Sequence, residues 1–77
     1  MKKLVLKPEE VKISTEFIKL DSFLKLCRAS ASGGEAKMMI QNGNVEVNGE
    51  ICTQRGKKLY HGDIIKINNT TYKVEKQ

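Results

Sequence analysis

Hydrophobic residues recur at helical spacing in two stretches near the middle of the chain. In the first stretch, four residues lie three or four positions apart and therefore share one side of a helix: Leu20, Phe23, Leu24 and Cys27. The carboxylate of Asp21 can accept hydrogen bonds from the free amides of a first helical turn. The pattern therefore predicts a helix over residues 22–27 with Asp21 as its N-cap.

The second helical stretch follows a run of small residues, 29–34. Ser32 and Glu35 have the spacing of a capping box, in which a hydroxyl and a carboxylate accept hydrogen bonds from main-chain amides at the helix start. The residues predicted to be buried are Ala36, Met39 and Ile40. Gly43 can adopt the positive φ that ends a helix, so the sequence predicts a helix over residues 33–42.

Beyond residue 43 the pattern changes to extended strands. Asn48-Gly49 is a strong hairpin signal between the alternating residues 44–47 and the segment 50–52. A strict two-residue loop would place Ile51 on the solvent face, so we expect a third loop residue or a bulge. A second hairpin is predicted around Asn68-Asn69, in which Ile65 pairs with Tyr72 and shares the buried face with Ile67 and Val74.

The remaining segments are less regular. Residues 15–20 contain β-branched and aromatic residues, which favour a short strand. The polar residues 53–58 predict a loop. We divide the chain into an N-terminal strand or extension, 1–14, and a single domain, 15–77, because 77 residues leave no room for a second core.

Charge points to a polyanionic partner. The chain has 14 Lys plus Arg against 9 Asp plus Glu, a net charge of +5. No apolar run exceeds the three residues 4–6, which excludes a membrane span, and we expect a cytoplasmic protein. A core this small also argues against a large buried cofactor, and none is predicted.

Catalytic and metal-binding patterns are missing from the sequence. Cys27 and Cys52 belong to no Cys-x-x-Cys pair, so they are interpreted as two reduced thiols, not metal ligands. His61 is the single histidine and has no nucleophile or carboxylate pair at a recognisable spacing. The sequence predicts no catalytic residue and no metal site.

Four segments together resemble a known family. These are residues 20–26, the Ser-Gly-Gly-Glu-Ala-Lys run at 32–37, the Gly-Asn-Val-Glu-Val-Asn-Gly-Glu run at 43–50, and Arg-Gly-Lys-Lys-Leu at 55–59. In this order they resemble the S4-like RNA-binding domain, and most closely its small stand-alone bacterial members. The resemblance covers roughly residues 18–67. It implies an α+β fold, of the αL type, with two adjacent helices packed on a small bent antiparallel sheet.

The resemblance also implies an RNA-binding surface formed by both helices and the loop after the first hairpin. The residues expected there are Arg55, Lys57, Lys58, Lys37, Arg28, Lys25, Gln41, Gly33 and Gly34. Gly33 departs from the family, since many members have arginine at this position. The double glycine has two explanations: close approach of main-chain amides to a phosphate, or a flexible interhelical turn.

The expected partner is structured RNA, namely ribosomal RNA, bound by a monomer during assembly of the large ribosomal subunit. No small-molecule substrate and no membrane are expected. Four aromatic residues and no tryptophan favour folded RNA over single strands. Two alternatives stay open. One is an adaptor that docks a ribosomal or replication protein through its helices and Met38. The other is a duplex DNA reader, against which the second helix offers few donors suited to base edges.

Overall fold

In the computed structural model, which describes residues 8–77, the chain forms two helices and seven strands. In chain order they are β1 (Glu9–Ile13), β2 (Ile18–Lys19), α1 (Leu20–Leu26), α2 (Gly33–Gln41), β3 (Val45–Val47), β4 (Glu50–Ile51), β5 (Lys58–Leu59), β6 (Ile64–Ile67) and β7 (Thr70–Lys76). The α+β class with two adjacent helices on a small sheet is confirmed.

Five strands form one sheet in the order β1-β7-β6-β3-β4, and β2 pairs with β5 in a separate two-stranded ribbon. The β6–β7 hairpin has the predicted register, with Ile65 opposite Tyr72. Ile67 and Val74 are buried on the same face, as predicted. This hairpin is therefore the centre of the sheet on which the helices pack.

The N-terminal strand β1 makes the sheet mixed. It runs parallel to β7, with Val11 opposite Val74, whereas the other strand pairs are antiparallel. A parallel partner separated by most of the chain leaves no local signal in the sequence. Residues 1–7, the first part of the predicted N-terminal extension, lie outside the described residues.

The β3–β4 hairpin corrects one prediction. Val47 lies opposite Glu50 and Glu46 opposite Ile51, so the loop contains two residues and neither a third loop residue nor a bulge is present. Asn48 and Gly49 have φ values of 52° and 89°, the positive values of a type I′ turn. This turn matches the strand twist and fixes the register, which leaves Ile51 64% exposed.

Helix α1 begins at Leu20, before the predicted residue 22, and the prediction of Asp21 as its N-cap is wrong. The N-cap is Lys19, whose side chain makes no capping hydrogen bond. Main-chain carbonyls of a distant loop take that role instead. The Asp21 carboxylate lies inside the first turn and accepts a hydrogen bond from the Ser22 amide at 2.7 Å.

Helix α2 has the predicted cap at its start. The Ser32 hydroxyl accepts a hydrogen bond from the Glu35 amide at 3.2 Å, and the Glu35 carboxylate accepts one from the Ala31 amide. The helix ends at Gln41 and is followed by Gly43 with a φ of 78°, as predicted. Both ends of α2 are therefore determined locally.

The core lies between the helix pair and the sheet. Its fully buried side chains come from both helices and four strands: Leu20, Phe23, Leu24, Ala36, Ile40, Val45, Leu59, Ile65 and Val74. Phe23 packs edge-on against Tyr72, with ring centroids 6.0 Å apart. Burying each large apolar side chain contributes about 1.5–3 kcal/mol, so the helices are held mainly by this layer.

Candidate nucleic-acid interface

The basic loop, residues 53–57, is tied to the start of α1 by its main chain. The Leu20 amide donates to the Lys57 carbonyl at 2.8 Å, and the Asp21 amide donates to the Arg55 carbonyl at 3.1 Å. These are the first two amides of α1, which have no partner inside the helix. The loop therefore caps the helix, and the helix fixes the position of the loop.

The three cations predicted on this segment are exposed: Arg55, Lys57 and Lys58. Lys57 lines a groove of about 340 Å³ between the loop and the β3–β4 hairpin. The sequence predicts that Lys58 lies in the loop, but it is the first residue of strand β5. Its Nζ lies 4.7 Å from the centroid of the Phe17 ring. The capping bonds use carbonyl groups, so the charged ends stay available to a ligand.

A second group of candidates lies where α1 meets α2. The Nζ of Lys25 lies 3.9 Å from the point where a Cβ would stand on Gly33. Gly33 and Gly34 are the first two residues of α2, so they belong to a helix and not to a flexible turn. Their amides are at the helix start and have no intrahelical partner, and the Lys25 ammonium lies close to Gly33. An anion could meet both features there.

Arg28 lies at the end of α1 in a left-handed conformation, with a φ of 66°. Its amide donates to the Lys25 carbonyl at 3.1 Å, and the Ala29 amide donates to the Leu24 carbonyl at 2.9 Å. These two bonds form a Schellman motif, in which glycine is the usual residue at this position. The chain instead has an exposed arginine between the two helices.

The structure thus forms two cationic groups at the two ends of α1. We call Arg55, Lys57 and Lys58 the loop group, and Lys25, Arg28 and the start of α2 the interhelical group. Seven residues of helix separate them by about 10 Å.

Lys37 and Gln41 lie farther along α2 and are exposed. Gln41 is eight residues from Gly33, or about 12 Å along the helix axis. Lys37 is four residues, or about one turn, from Gly33 and therefore lies on the same side of α2 as the helix start. Gln41, at the opposite end of α2, belongs to neither cationic group.

Within residues 8–77 the two ion pairs are Lys73 with Glu75, at 3.7 Å, and Lys76 with Glu16, at 2.6 Å. Neither pair includes a predicted site residue. The hydrogen bond and charge of Lys76 lower the pKa of Glu16. The cations of both groups are thus unpaired within this part of the chain, which suits binding to phosphates.

Sequence reasoning missed one exposed face of the β2–β5 ribbon. Lys19 lies opposite Lys58 in this ribbon, and the rings of Phe17 and Tyr60 lie next to each other with centroids 6.0 Å apart. We call Phe17, Lys19, Lys58 and Tyr60 the ribbon face. The alternation within each segment is visible in the sequence, but the pairing of two segments about 40 residues apart is not.

His61 makes a hydrogen bond that connects two segments of the fold. Its Nδ1 accepts a hydrogen bond from the Lys76 amide at 3.1 Å, which ties the turn before β6 to the end of β7. Among residues 8–77, no group of three His, Cys, Asp or Glu side chains is arranged to hold a metal ion. Both cysteines are free thiols, and burial raises the pKa of Cys27.

The helices described in residues 8–77 are all too short or too polar to cross a membrane.

Comparisons with known proteins agree with this fold and sequence pattern. The sequence model of the S4 domain family matches residues 11–75. The chain is 46% identical over 57 residues to the probable ribosome maturation protein RlbA of Bacillus subtilis (strain 168), covering 74% of this chain and 80% of that protein.

A solved structure has the same overall fold. It is the solution structure of YbcJ from E. coli, described as revealing an AlfaL motif involved in RNA-binding. The TM-score is 0.70 at 25% sequence identity, and the match covers 97% of this chain and 96% of YbcJ.

Proposed function

Because the chain belongs to the S4 domain family, we propose that it is a non-enzymatic RNA-binding protein that acts in ribosome maturation. Its partner is structured ribosomal RNA, met in the cytoplasm during assembly of the large subunit. The protein binds as a monomer and positions RNA without changing it chemically.

Two relatives support this proposal. The Bacillus subtilis protein with 46% identity is called a probable ribosome maturation protein, and the E. coli structure is described by a motif involved in RNA-binding. The similarity to the Bacillus subtilis protein suggests ribosome maturation as the process, and the similarity to the E. coli structure suggests RNA as the ligand.

The observation that carries the proposal is the pair of cationic groups fixed at the two ends of α1. The loop group is held by the Lys57 and Arg55 carbonyls on the helix start. The interhelical group is held by the Schellman motif around Arg28. A rigid helix between two sets of unpaired cations presents a fixed spacing of charge to a ligand.

That arrangement suits structured RNA. An A-form helix hides its base edges in a deep, narrow groove, so proteins recognise its shape, its phosphates and its 2′-hydroxyls. Each phosphate contact releases counterions, so affinity falls steeply with salt. Arg55 and Arg28 can each engage a phosphate through two parallel hydrogen bonds, whereas the lysines act as point charges.

Charge reversal tests this surface. Replacing Arg55, Lys57 and Lys58 together by Glu should abolish association with ribosomal particles. The melting temperature should stay nearly unchanged, because the α1 cap uses the main-chain carbonyls of Arg55 and Lys57 and all three side chains are exposed. Sedimentation of cell extracts and thermal unfolding measure the two effects.

A matched control distinguishes the effect of this surface on RNA association from the effect of the change in net charge. The variant with Arg55→Glu and Lys57→Glu is compared with Lys12→Glu and Lys66→Glu, which reverses two exposed lysines on β1 and β6. Only the first variant should lose association. Equal loss in both, or retention in the first, would contradict the assigned surface.

A protein-binding adaptor is the second candidate, since Met38 is 57% exposed and Leu26 50% exposed on the helices. Apolar docking responds weakly to salt, whereas RNA binding weakens sharply between low and moderate salt. Association that persists unchanged across this salt range would favour the adaptor.

A further inference from the structure

The ribbon face is built by the alternation of two short paired strands. Ile18 lies opposite Leu59, and both belong to the core side, where Leu59 is fully buried. Side chains one position away point to the other side of the ribbon. Lys19 and Lys58 therefore share the solvent side with the aromatic residues just beyond the paired positions, Phe17 and Tyr60.

Tyr60 is the most open aromatic ring of this face, with 47% of the residue exposed. Its amide donates to the Asp63 carboxylate at 2.8 Å, and its carbonyl accepts from the Asp63 amide at 2.9 Å. The ring of Phe17 supports it from one side at 6.0 Å, tilted by 50°. The main chain of Tyr60 is thus held by a closed turn and its ring packs beside Phe17, yet nearly half of the residue faces solvent.

The charges around the rings favour an anionic ligand. Lys58 places its ammonium 4.7 Å from the centroid of Phe17, and Lys19 lies across the ribbon from it. Two carboxylates lie near the rings: Glu16 is paired with Lys76 at 2.6 Å, and Asp63 accepts hydrogen bonds from the Tyr60 amide and the Asn48 side chain. Aromatic rings beside cations are the combination that binds unpaired nucleotides, in which a base stacks on the ring and the backbone meets the charges.

We propose that the ribbon face binds an unpaired nucleotide of the RNA held by the loop group. Its base stacks on the exposed ring of Tyr60, and the flanking phosphates contact Lys19 and Lys58. The preferred substrate is therefore a duplex joined to a single strand, a refinement of the folded RNA expected from composition. This inference rests on the proposed function.

Continuity of the chain supports a shared ligand. Lys58 follows Lys57 directly, so the ribbon face begins where the basic loop ends. A strand leaving a duplex at the loop group meets the ribbon face within the next few nucleotides. A purely structural role for the Phe17–Tyr60 pair would not require Lys19 and Lys58 beside the rings, and it would not require Tyr60 to be exposed.

The test compares two RNAs of one sequence: a blunt hairpin, and the same hairpin with a short single-stranded extension. Binding is measured at one salt concentration for wild type, Tyr60→Ala, Tyr60→Leu and Tyr60→Phe. Leu retains apolar contact with Phe17 but has no aromatic face, whereas Phe retains the face. Thermal unfolding of each variant shows whether it is folded.

We expect wild type to prefer the extended RNA. Tyr60→Ala and Tyr60→Leu should lose about 5- to 150-fold in affinity for it and little for the blunt hairpin, whereas Tyr60→Phe should bind like wild type. Should Tyr60→Ala prove unfolded, Tyr60→Leu answers the question alone.

Three results overturn the inference: equal loss on both RNAs, which indicates a packing role; no loss in the Leu variant; or no preference of wild type for the extension. Failure of the proposed function looks different, because wild type would then bind neither the blunt nor the extended RNA.

Discussion

Arg28 is the residue whose conformation conflicts most with its type. An L-residue in the left-handed region costs about 1–2 kcal/mol, and the position it occupies at the end of α1 is one that glycine normally takes. Helix α2 ends in the same motif, with Gly43 at the equivalent place. The chain thus uses glycine at one helix end and an exposed cation at the other, which supports a contact role for Arg28.

Replacing Arg28 by Gly should move stability and RNA binding in opposite directions. The unfolding free energy should rise by up to about 1 kcal/mol, since glycine adopts this φ without strain but gains freedom when unfolded. Affinity for structured RNA should fall, because a cation is lost. Urea denaturation and an RNA-binding titration measure the two changes.

Arg28→Lys is the control, because it keeps both the charge and the strain. It should unfold like wild type and bind RNA more tightly than Arg28→Gly but less tightly than wild type, because lysine cannot form the two parallel hydrogen bonds of a guanidinium. Undiminished RNA binding by Arg28→Gly would remove Arg28 from the interface.

Asn48 has both a local role in its turn and a tertiary role in contacts with the start of β6. Its place before Gly49 predicts the type I′ turn, and its φ of 52° agrees with that turn. Its side chain also accepts a hydrogen bond from the Ile64 amide at 2.9 Å and donates one to the Asp63 carboxylate at 3.2 Å. The turn residue therefore also ties the first hairpin to the start of β6.

At the scale of elements, the turn of the β3–β4 hairpin fixes a register that leaves Ile51 exposed. The Asn48-Gly49 turn fixes a two-residue loop, and β4 contains only two residues. Burying Ile51 would have required a bulge that disrupts this turn. The favoured turn sets the register, and one isoleucine stays on the surface.

This register predicts a contrast between two isoleucines. Ile51→Ala should lower the unfolding free energy by less than about 1 kcal/mol, the range of strand propensity. Ile65→Ala should lower it by about 2–5 kcal/mol, because Ile65 is fully buried. Chemical denaturation of both variants provides the comparison, and a similar large loss for Ile51→Ala would mean that Ile51 is buried in solution.

At the scale of the whole molecule, the helix layer meets the sheet around Phe23, Cys27 and Tyr72. Phe23 packs edge-on against the Tyr72 ring. Burial raises the pKa of Cys27 above its ordinary value of 9.0, and burial together with Cys27 raises the pKa of Tyr72 above 10.0. Both groups are therefore held in their neutral forms at the contact between layers.

Stability should consequently fall in alkali. The unfolded chain loses these protons at the ordinary pKa values, and the folded chain only at higher pH. Their contribution is complete below the ordinary values and is lost as pH rises through the raised ones. Urea midpoints measured between pH 7 and about pH 10 should decline for wild type and decline less for Cys27→Ala. An equal slope in both proteins would show that Cys27 does not contribute.

The sequence itself determined what depends on neighbouring residues. The apolar stripes, the Ser32 cap, Gly43 and the turns at 48–49 and 68–69 correctly predicted both helices and both hairpins. The four family motifs were sufficient for the S4 domain assignment. In each case the interaction spans only a few positions, so its physical cause is contained in a short run of sequence.

The tertiary structure decided the contacts between distant segments. It replaced Asp21 with the Lys57 and Arg55 carbonyls as the cap of α1, placed β1 beside β7, and brought Phe17 and Lys19 to Tyr60 and Lys58. Hydrogen-bond partners and strand neighbours of this kind are chosen by how the whole core packs. Local residues can require a cap or a partner strand, but only the folded chain determines which segment supplies it.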